Sequence, residues 1–357
     1  MEPRMNLDRP NAKVSPSGVR IAADFRDNLI IDRYDPVFAT MRAGKREHLR
    51  SENSEDAVTW NVFRSIRQVD PRVWLPGLLR VGLPSKDVPI ATPIAVDLWR
   101  SVSPPPSLVA LGAEGDSEID VVIESPEWVW FIEAKYQSDI SQRTTTRDYR
   151  DQVLRNIDVG SYYAGIRRFF FTLLVRNASK SPLGVEAVAK YSNLDVPRSL
   201  LADHRPDRLP NLGAVTMLTW AALGPVLTTC RQEAAREDER SYAARALAWM
   251  DEKGLLAQDG LSVAGYEALF KGLGFNSFKS HKKLRHPSLP VTVYFNRDRR
   301  GCVWFAVMTK DADAFKPGLW TLIEPPQKKD REPGITTLVP VAGREAEAFR
   351  SLLTAGR

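Results

Sequence analysis

Three residues stand out for the chemistry their spacing allows: Asp120, Glu133 and Lys135. They fall in two β-rich runs, Ile119 to Glu124 and Val129 to Lys135, parted by a turn around Pro126-Glu127, which reads as a hairpin. Whether the loop is Pro126-Glu127 alone or Ser125 to Trp128, the pairing is centred on the same point and sets Asp120 directly opposite Glu133. Directly opposed residues carry Cβ atoms about 4.5–5.5 Å apart on one face. Two carboxylates at that separation repel unless a positive charge lies between them. A hard divalent cation with oxygen ligands, such as Mg²⁺, suits the position. Lys135 follows Glu133 by two and so shares its face. The reverse face carries Ile119, Val121 and Ile123 opposite Ala134, Ile132 and Trp130 and is apolar. An ammonium beside a metal-activated water orients or deprotonates it, or neutralises charge growing on a phosphate. These residue types at this spacing point to phosphoryl hydrolysis. Glu118 lies opposite Lys135 and reads either as a support for the lysine or as an ordinary cross-strand salt bridge.

Other elements must bring further groups to the hairpin. Ser54-Glu55-Asp56 reads as a helix start, with an N-cap serine, acids in the first turn and Val58, Val62, Phe63 and Ile66 at helical spacing. Glu55 is there a further acid for the site, with Glu52 as its substitute; the plain alternative is a first-turn acid favouring the helix dipole, worth about 0.3–1 kcal/mol. A helix from about Thr146 to Tyr163 carries Gln152 and Arg155 three apart, neighbours able to meet a metal-held water or a phosphate, or else a solvent-facing polar stripe. Arg168 to Arg176 has the apolar interior of a strand covered on both faces. A helix near Val185–Tyr191 and a strand near Ala214–Thr219 complete an α/β unit, a mixed sheet with helices on its faces. The first twenty residues read as a loose arm. Pro71 to Pro106 has no clear assignment, and Ser103-Pro104-Pro105-Pro106 reads as an extended connector.

Beyond Pro225 the character changes. A charged helix spans Glu233 to Glu252 and another Val263 to Leu273, followed by a hairpin of Val291 to Phe295 and Val303 to Met308. Lys279, Lys282, Lys283 and Arg285, with Arg297, Arg299 and Arg300 at the later turn, form either a phosphate-contacting surface or solvated loops. The expected division is an arm over 1–45, an α/β domain over 46–225 and a smaller α+β domain over 226–357.

Bulk composition agrees and excludes some classes. The 357 residues are 43% apolar and 26% charged, an ordinary globular balance. A net charge of +6 and a pI near 9.3 are compatible with a polyanionic partner without requiring one. Cys230 and Cys302 stand far apart and the four histidines are scattered, against a disulfide framework or a zinc site. No run approaches the ~18–20 apolar residues of a membrane span. The N-terminus lacks the apolar stretch of a signal peptide, so a soluble cytoplasmic protein is expected. No aromatic-rich platform for single strands is legible.

Asp120-Val121-Val122-Ile123 followed by Phe131-Ile132-Glu133-Ala134-Lys135 resembles the D…(D/E)-x-K signature of the PD-(D/E)XK nuclease superfamily. Ser54 to Trp60 resembles the helix that supplies that group's extra acid, and Asp151 to Asn156 resembles its glutamine-bearing helix. Ile119 stands where the signature's proline would be. The resemblance covers roughly residues 50–222 and implies a restriction-endonuclease-like core that cleaves nucleic acid, DNA foremost, with Mg²⁺ or Mn²⁺. Asp120, Glu133 and Glu55 would be metal ligands, Lys135 the catalytic lysine and Gln152 an assisting group. Restriction, repair or defence would be the setting, with room for a homo-oligomer or a partner protein. The alternatives are a non-cleaving nucleic-acid or protein binding module on the same fold, and an RNA-directed nuclease.

Overall fold

The computed structural model describes residues 13–16, 18–83, 88–90, 92–110, 114–144, 150–256, 271, 274–278, 280–285, 292–297, 303–308, 318–322 and 334–340. A small antiparallel pair, β1 (Lys13–Val14) and β2 (Arg20–Ile21), precedes the short helices α1 (Val37–Thr40) and α2 (Ala43–Leu49). Helices α3 (Glu55–Arg67) and α4 (Pro71–Gly82) follow, then β3 (Ala95–Val102) and α5 (Pro106–Ala110). The expected hairpin is β4 (Ser117–Glu124) and β5 (Trp128–Lys135). Next come α6 (Gln152–Ala164), β6 (Arg168–Val175), α7 (Pro182–Tyr191), α8 (Asp195–Leu200) and β7 (Leu212–Thr219). Then α9 (Leu223–Glu233) and α10 (Glu237–Glu252) complete this part.

These strands form a five-stranded mixed sheet in the order β3-β4-β5-β6-β7. β3, β4 and β5 are antiparallel, whereas β5, β6 and β7 run parallel through helical crossovers. The place of β6 between β5 and β7, with helices on both faces, explains its sequence, Phe-Phe-Phe-Thr-Leu-Leu-Val after Arg168, all buried. Gly160 lets α6 lie on this sheet, because a Cβ there would collide with the rings of Phe169 and Phe131.

Both faces of the hairpin are covered, which corrects the expectation of one polar face. Val121, Ile123, Trp130 and Ile132 pack under α3, α4, α9 and α10. Val122, Val129 and Phe131, on the face of Asp120 and Glu133, pack under α6. The carboxylates therefore sit at the rim of a second core.

Several boundaries shift for physical reasons. The unassigned proline-rich stretch contains α4, whose N-cap Asp70 accepts from the Arg72 amide and whose first residue is Pro71, where no donor is lost. It also contains β3, the strand that covers the outer edge of β4. Residues from Phe25 onward are no loose arm: Phe25, Leu29 and Phe38 pack with Trp60 and Trp99. Pro225 marks no boundary in packing either, since Val226, Leu227, Cys230, Ala243 and Met250 share the core of α3 and α4. Helix α6 starts at Gln152, where Asp151 caps it by accepting from the Leu154 amide at 2.8 Å, and Thr146, its expected start, lies outside the described residues.

The later strands β8 (Asn276–Phe278), β9 (Ser280–Arg285), β10 (Thr292–Arg297), β11 (Val303–Met308), β12 (Trp320–Leu322) and β13 (Ile335–Pro340) form a separate antiparallel sheet. Its order is β12-β13-β11-β10-β9-β8 and includes the expected hairpin. The helix expected over Val263–Leu273 falls outside the described residues apart from Lys271, as do Lys279, Arg299 and Arg300. No helix among the described residues is long and apolar enough to cross a membrane.

Candidate active site

The hairpin register runs from Glu124 opposite Val129 to Val121 opposite Ile132. One step further along the same centring stand Asp120 and Glu133, where the paired ladder gives way to side-chain chemistry. Asp120 Oδ2 accepts a hydrogen bond from the Ala134 amide at 2.8 Å. Its Oδ1 accepts none from the described residues. Burial and the charge of Glu133 push the Asp120 carboxyl well above the usual carboxylate range, and the opposing pull of Lys135 does not restore it. Across the outer edge, β3 keeps one register on either side of Trp99, the residue facing Asp120. Trp99 adopts φ 55°, a left-handed conformation that costs a bulky residue strain. It stacks on Trp60 with ring centroids 5.0 Å apart.

Glu133 is 3% exposed and is held at both oxygens. Oε1 accepts from Lys135 Nζ at 2.8 Å and from Gln152 Nε2 at 2.5 Å, and Oε2 accepts from Asn156 Nδ2 at 2.9 Å. Gln152 and Asn156 lie four apart on one face of α6. Gln152 is itself anchored, since its amide donates to the Ser141 carbonyl and its Oε1 accepts from the Ser141 amide. Asn156 is a site residue that sequence reasoning missed, although its spacing from Gln152 was the available signal.

Lys135 is buried, and its ammonium bridges Glu133 and Glu55, the latter at 3.2 Å. Its carbonyl accepts from Trp220 Nε1 at 3.1 Å, which fixes the end of β5 to the residue after β7. Burial alone would lower the lysine pKa, but the carboxylates of Glu133, Glu55 and Asp120 outweigh it and hold the group above its ordinary value. Lys135 is therefore a fixed cation rather than a proton acceptor.

Glu55 sits in the first turn of α3, started by Ser54 Oγ accepting from the Ala57 amide. Its Oε1 accepts from Lys135, and its Oε2 from the Tyr136 amide at 2.9 Å and Ser138 Oγ at 2.5 Å. Both oxygens are engaged in holding the lysine and the loop after β5, just as both oxygens of Glu133 are held. Glu52, the expected substitute, instead accepts from the Arg20 amide at 2.7 Å beside the small β1–β2 pair. Glu118 does not pair with Lys135. Its carboxylate meets Lys45, which also contacts Asp56 at 3.2 Å and lies 4.5 Å over the Trp99 ring. Arg155 turns away from Glu133 and donates to the carbonyls of Gly115 and Asp116 at 3.0 and 3.4 Å.

The region thus gathers the carboxylates of Glu55, Asp56, Glu118, Asp120 and Glu133 around Lys45 and Lys135. Among the described residues no three acids, histidines or cysteines are arranged as a ready metal cage. Asp120 Oδ1, which accepts no hydrogen bond from the described residues, and the adjoining Glu133 nevertheless form an all-oxygen donor pair that fits a hard divalent ion. Cys230 is no alternative nucleophile, since burial pushes its thiol up to about 12. Compared with family models, curated proteins and solved structures, the chain finds no match.

Proposed function

We propose that this site hydrolyses phosphodiester bonds in nucleic acid, DNA foremost, with Mg²⁺ or Mn²⁺ held by Asp120 and Glu133, on a restriction-endonuclease-like member of the PD-(D/E)XK superfamily. The observation that carries the reading is the pairing of a carboxylate with a free oxygen, Asp120, against a carboxylate clamped at both oxygens, Glu133. Bound there, the ion would supply Lewis-acid polarisation of a phosphoryl oxygen. Lys135, kept as an ammonium, stabilises charge developing on the phosphate. Gln152 and Asn156 orient Glu133, and Glu55 fixes Lys135; acting through other residues, these three are positioning groups. The mixed sheet, with its hairpin and crossover helix, supports the fold assignment.

A second reading is a non-cleaving binding module, favoured by Lys135 standing between Glu55 and Glu133 as a built-in counter-ion. Incubation of plasmid, linear DNA, single strands and RNA with Mg²⁺ or Mn²⁺ separates the two. Cleavage by the wild type that is lost in Asp120→Ala and Lys135→Ala supports the nuclease, and identical behaviour of all three proteins on every substrate removes it. Calorimetric titration with Mg²⁺ tests the donor pair separately, since a heat of binding equal in wild type and Asp120→Ala would discard the ligand assignment.

A further inference from the structure

The parallel strands β5, β6 and β7 end at one edge of the sheet, the edge that carries Glu133 and Lys135. Register sets Lys135 beside Val175 and Val175 beside Thr219. Where parallel strands are joined by helical crossovers, ligands collect at the carboxyl ends of the strands. The residue that leaves β6 at this edge is Arg176. It is half-buried, and its guanidinium lies 5.4 Å from the centroid of the Tyr136 ring. Gly254, beyond the end of α10, leaves room beside it, since a Cβ there would stand 3.7 Å from Nη2. Other half-buried arginines are matched by acids: Arg64 by Asp32 and Asp35, Arg100 by Asp97 and Glu124, and Arg167 by Glu124. Arg176 makes no ion pair and donates no hydrogen bond among the described residues. A ring face answers part of its charge but none of its five N–H donors.

Tyr136 joins this cation to the carboxylate site. It follows Lys135 directly, and its amide donates to Glu55 Oε2 at 2.9 Å. Neighbouring strands lie about 4.8 Å apart, so Asp120 on β4, Glu133 and Lys135 on β5 and Arg176 on β6 spread across about 10 Å of one sheet edge. We infer that Arg176 binds a backbone phosphate of the nucleic acid, next along the chain from the phosphate held at Asp120 and Glu133, an assignment that rests on the proposed hydrolysis there. Its planar fork of donors matches two phosphate oxygens, and a phosphate supplies the acceptors that the described residues leave out. The Tyr136 ring already restrains the guanidinium, so less ordering remains to be done on binding. In the sequence Arg176 read only as the residue bounding an apolar strand. Its lack of an acidic partner became visible once the neighbours of that strand end were known.

The test is fluorescence anisotropy of the full-length chain with a labelled DNA duplex, the matching single strand and its RNA counterpart. EDTA keeps binding separate from cleavage, and cleavage rates are then taken in Mg²⁺. Arg176→Met keeps an unbranched stem against Tyr136 without the charge. It should weaken binding of the preferred strand about 10- to 150-fold. It should also lower the slope of log affinity against log salt by about 0.7 for a single strand or 0.9 for a duplex. In Mg²⁺ the loss should fall on KM, with kcat within about threefold of wild type. Arg176→Lys restores the charge and should recover the salt slope but not the full affinity. Should Arg176→Met fail to fold, Arg176→Gln gives the same neutral comparison. A neutral variant that binds as tightly as wild type, or one with a lowered Tm and an unchanged salt slope, would overturn the assignment and leave the hydrolysis untouched. Wild-type protein that binds but does not cut, with the slope still lowered in the neutral variant, would keep the phosphate contact and remove the hydrolysis alone. Wild-type protein that binds none of the three strands removes both.

Discussion

Replacing Asp120 by asparagine should abolish the proposed hydrolysis and yet stabilise the metal-free protein. Asparagine keeps an oxygen to accept from the Ala134 amide but removes one of two neighbouring charges. Opposed carboxylates about 5 Å apart, at an effective dielectric near 20, repel by about 3 kcal/mol. Lys135, at 2.8 Å from Glu133, already offsets part of that repulsion. A net gain of about 1–2 kcal/mol is expected, a rise in Tm of roughly 1–3 °C for a chain of this size. The sign of the pH dependence follows from the raised Asp120 pKa. In the folded chain the carboxyl keeps its proton at pH values where the unfolded chain has lost it. Wild-type stability from this group is therefore greatest below the unfolded pKa and declines as pH rises towards the folded one. The advantage of Asp120→Asn should grow as pH rises towards the folded pKa and shrink in acid. Thermal melts of both proteins in EDTA across that range provide the assay. Mg²⁺ should then favour the wild type, by about 2.7 kcal/mol at a hundredfold excess over its Kd, and raise the variant less. A variant less stable than wild type in EDTA, or an advantage that grows towards acid, would refute the repulsion argument.

Three further outcomes follow from the same geometry. Asn156→Ala removes one of three donors to Glu133 and should reduce metal affinity or turnover roughly 10- to 100-fold, read by calorimetry and cleavage rate, with little change in Tm. Gly160→Ala puts a methyl group into the rings of Phe169 and Phe131, so it should destabilise by about 1–3 kcal/mol and loosen Gln152 and Asn156 from Glu133, seen as a lowered Tm together with weaker metal binding. Asp158 is fully buried and accepts from Arg150 at 2.6 Å, His204 at 2.7 Å and Arg205 at 2.8 Å; although burial pushes its carboxyl up, the hydrogen bonds from His204 and Arg150 hold it below the usual range. Its contribution is present above the unfolded pKa and lost as pH falls through the folded one, so Asp158→Asn should cost about 3–5 kcal/mol at neutral pH and less in acid, measured by denaturant unfolding.

The centre of the site was legible because hairpin register is a local property. A short turn fixes every pair behind it, so Asp120 could be set against Glu133 and Lys135 placed by parity from residue numbers alone. What depended on distant contacts was not legible. Lys45 claims Glu118 from 73 residues away, and nothing in either local sequence signals the pairing. Glu55 was found as a helix-start acid, but its engagement by Tyr136 and Ser138 required knowing where the chain turns after β5. The proline-rich stretch concealed α4 because Pro71 and Pro76 read as breakers, although Trp74, Leu75, Leu78 and Leu79 keep helical spacing and are buried. The change in composition near Pro225 suggested a domain boundary because α10 is charged. Its buried stripe of Ala243, Ala246, Leu247 and Met250 nevertheless completes the core of α3 and α4.

The bond from Trp220 to the Lys135 carbonyl has a bearing on how this chain is made. Glu55 meets Lys135 across 80 positions, and Trp220 reaches the same residue across 85. Between them β6 must pair with β5 and β7 must dock beside β6. Such distant pairings form after local ones, because each must first overcome the entropy of closing its loop. A ribosome-bound chain that has not yet released Trp220 therefore lacks a fixed Lys135, whatever hairpin it has already formed. The arrangement of Glu55, Glu133 and Lys135 is completed only near the end of synthesis of the α/β unit, so unfinished chains carry these residues without their geometry.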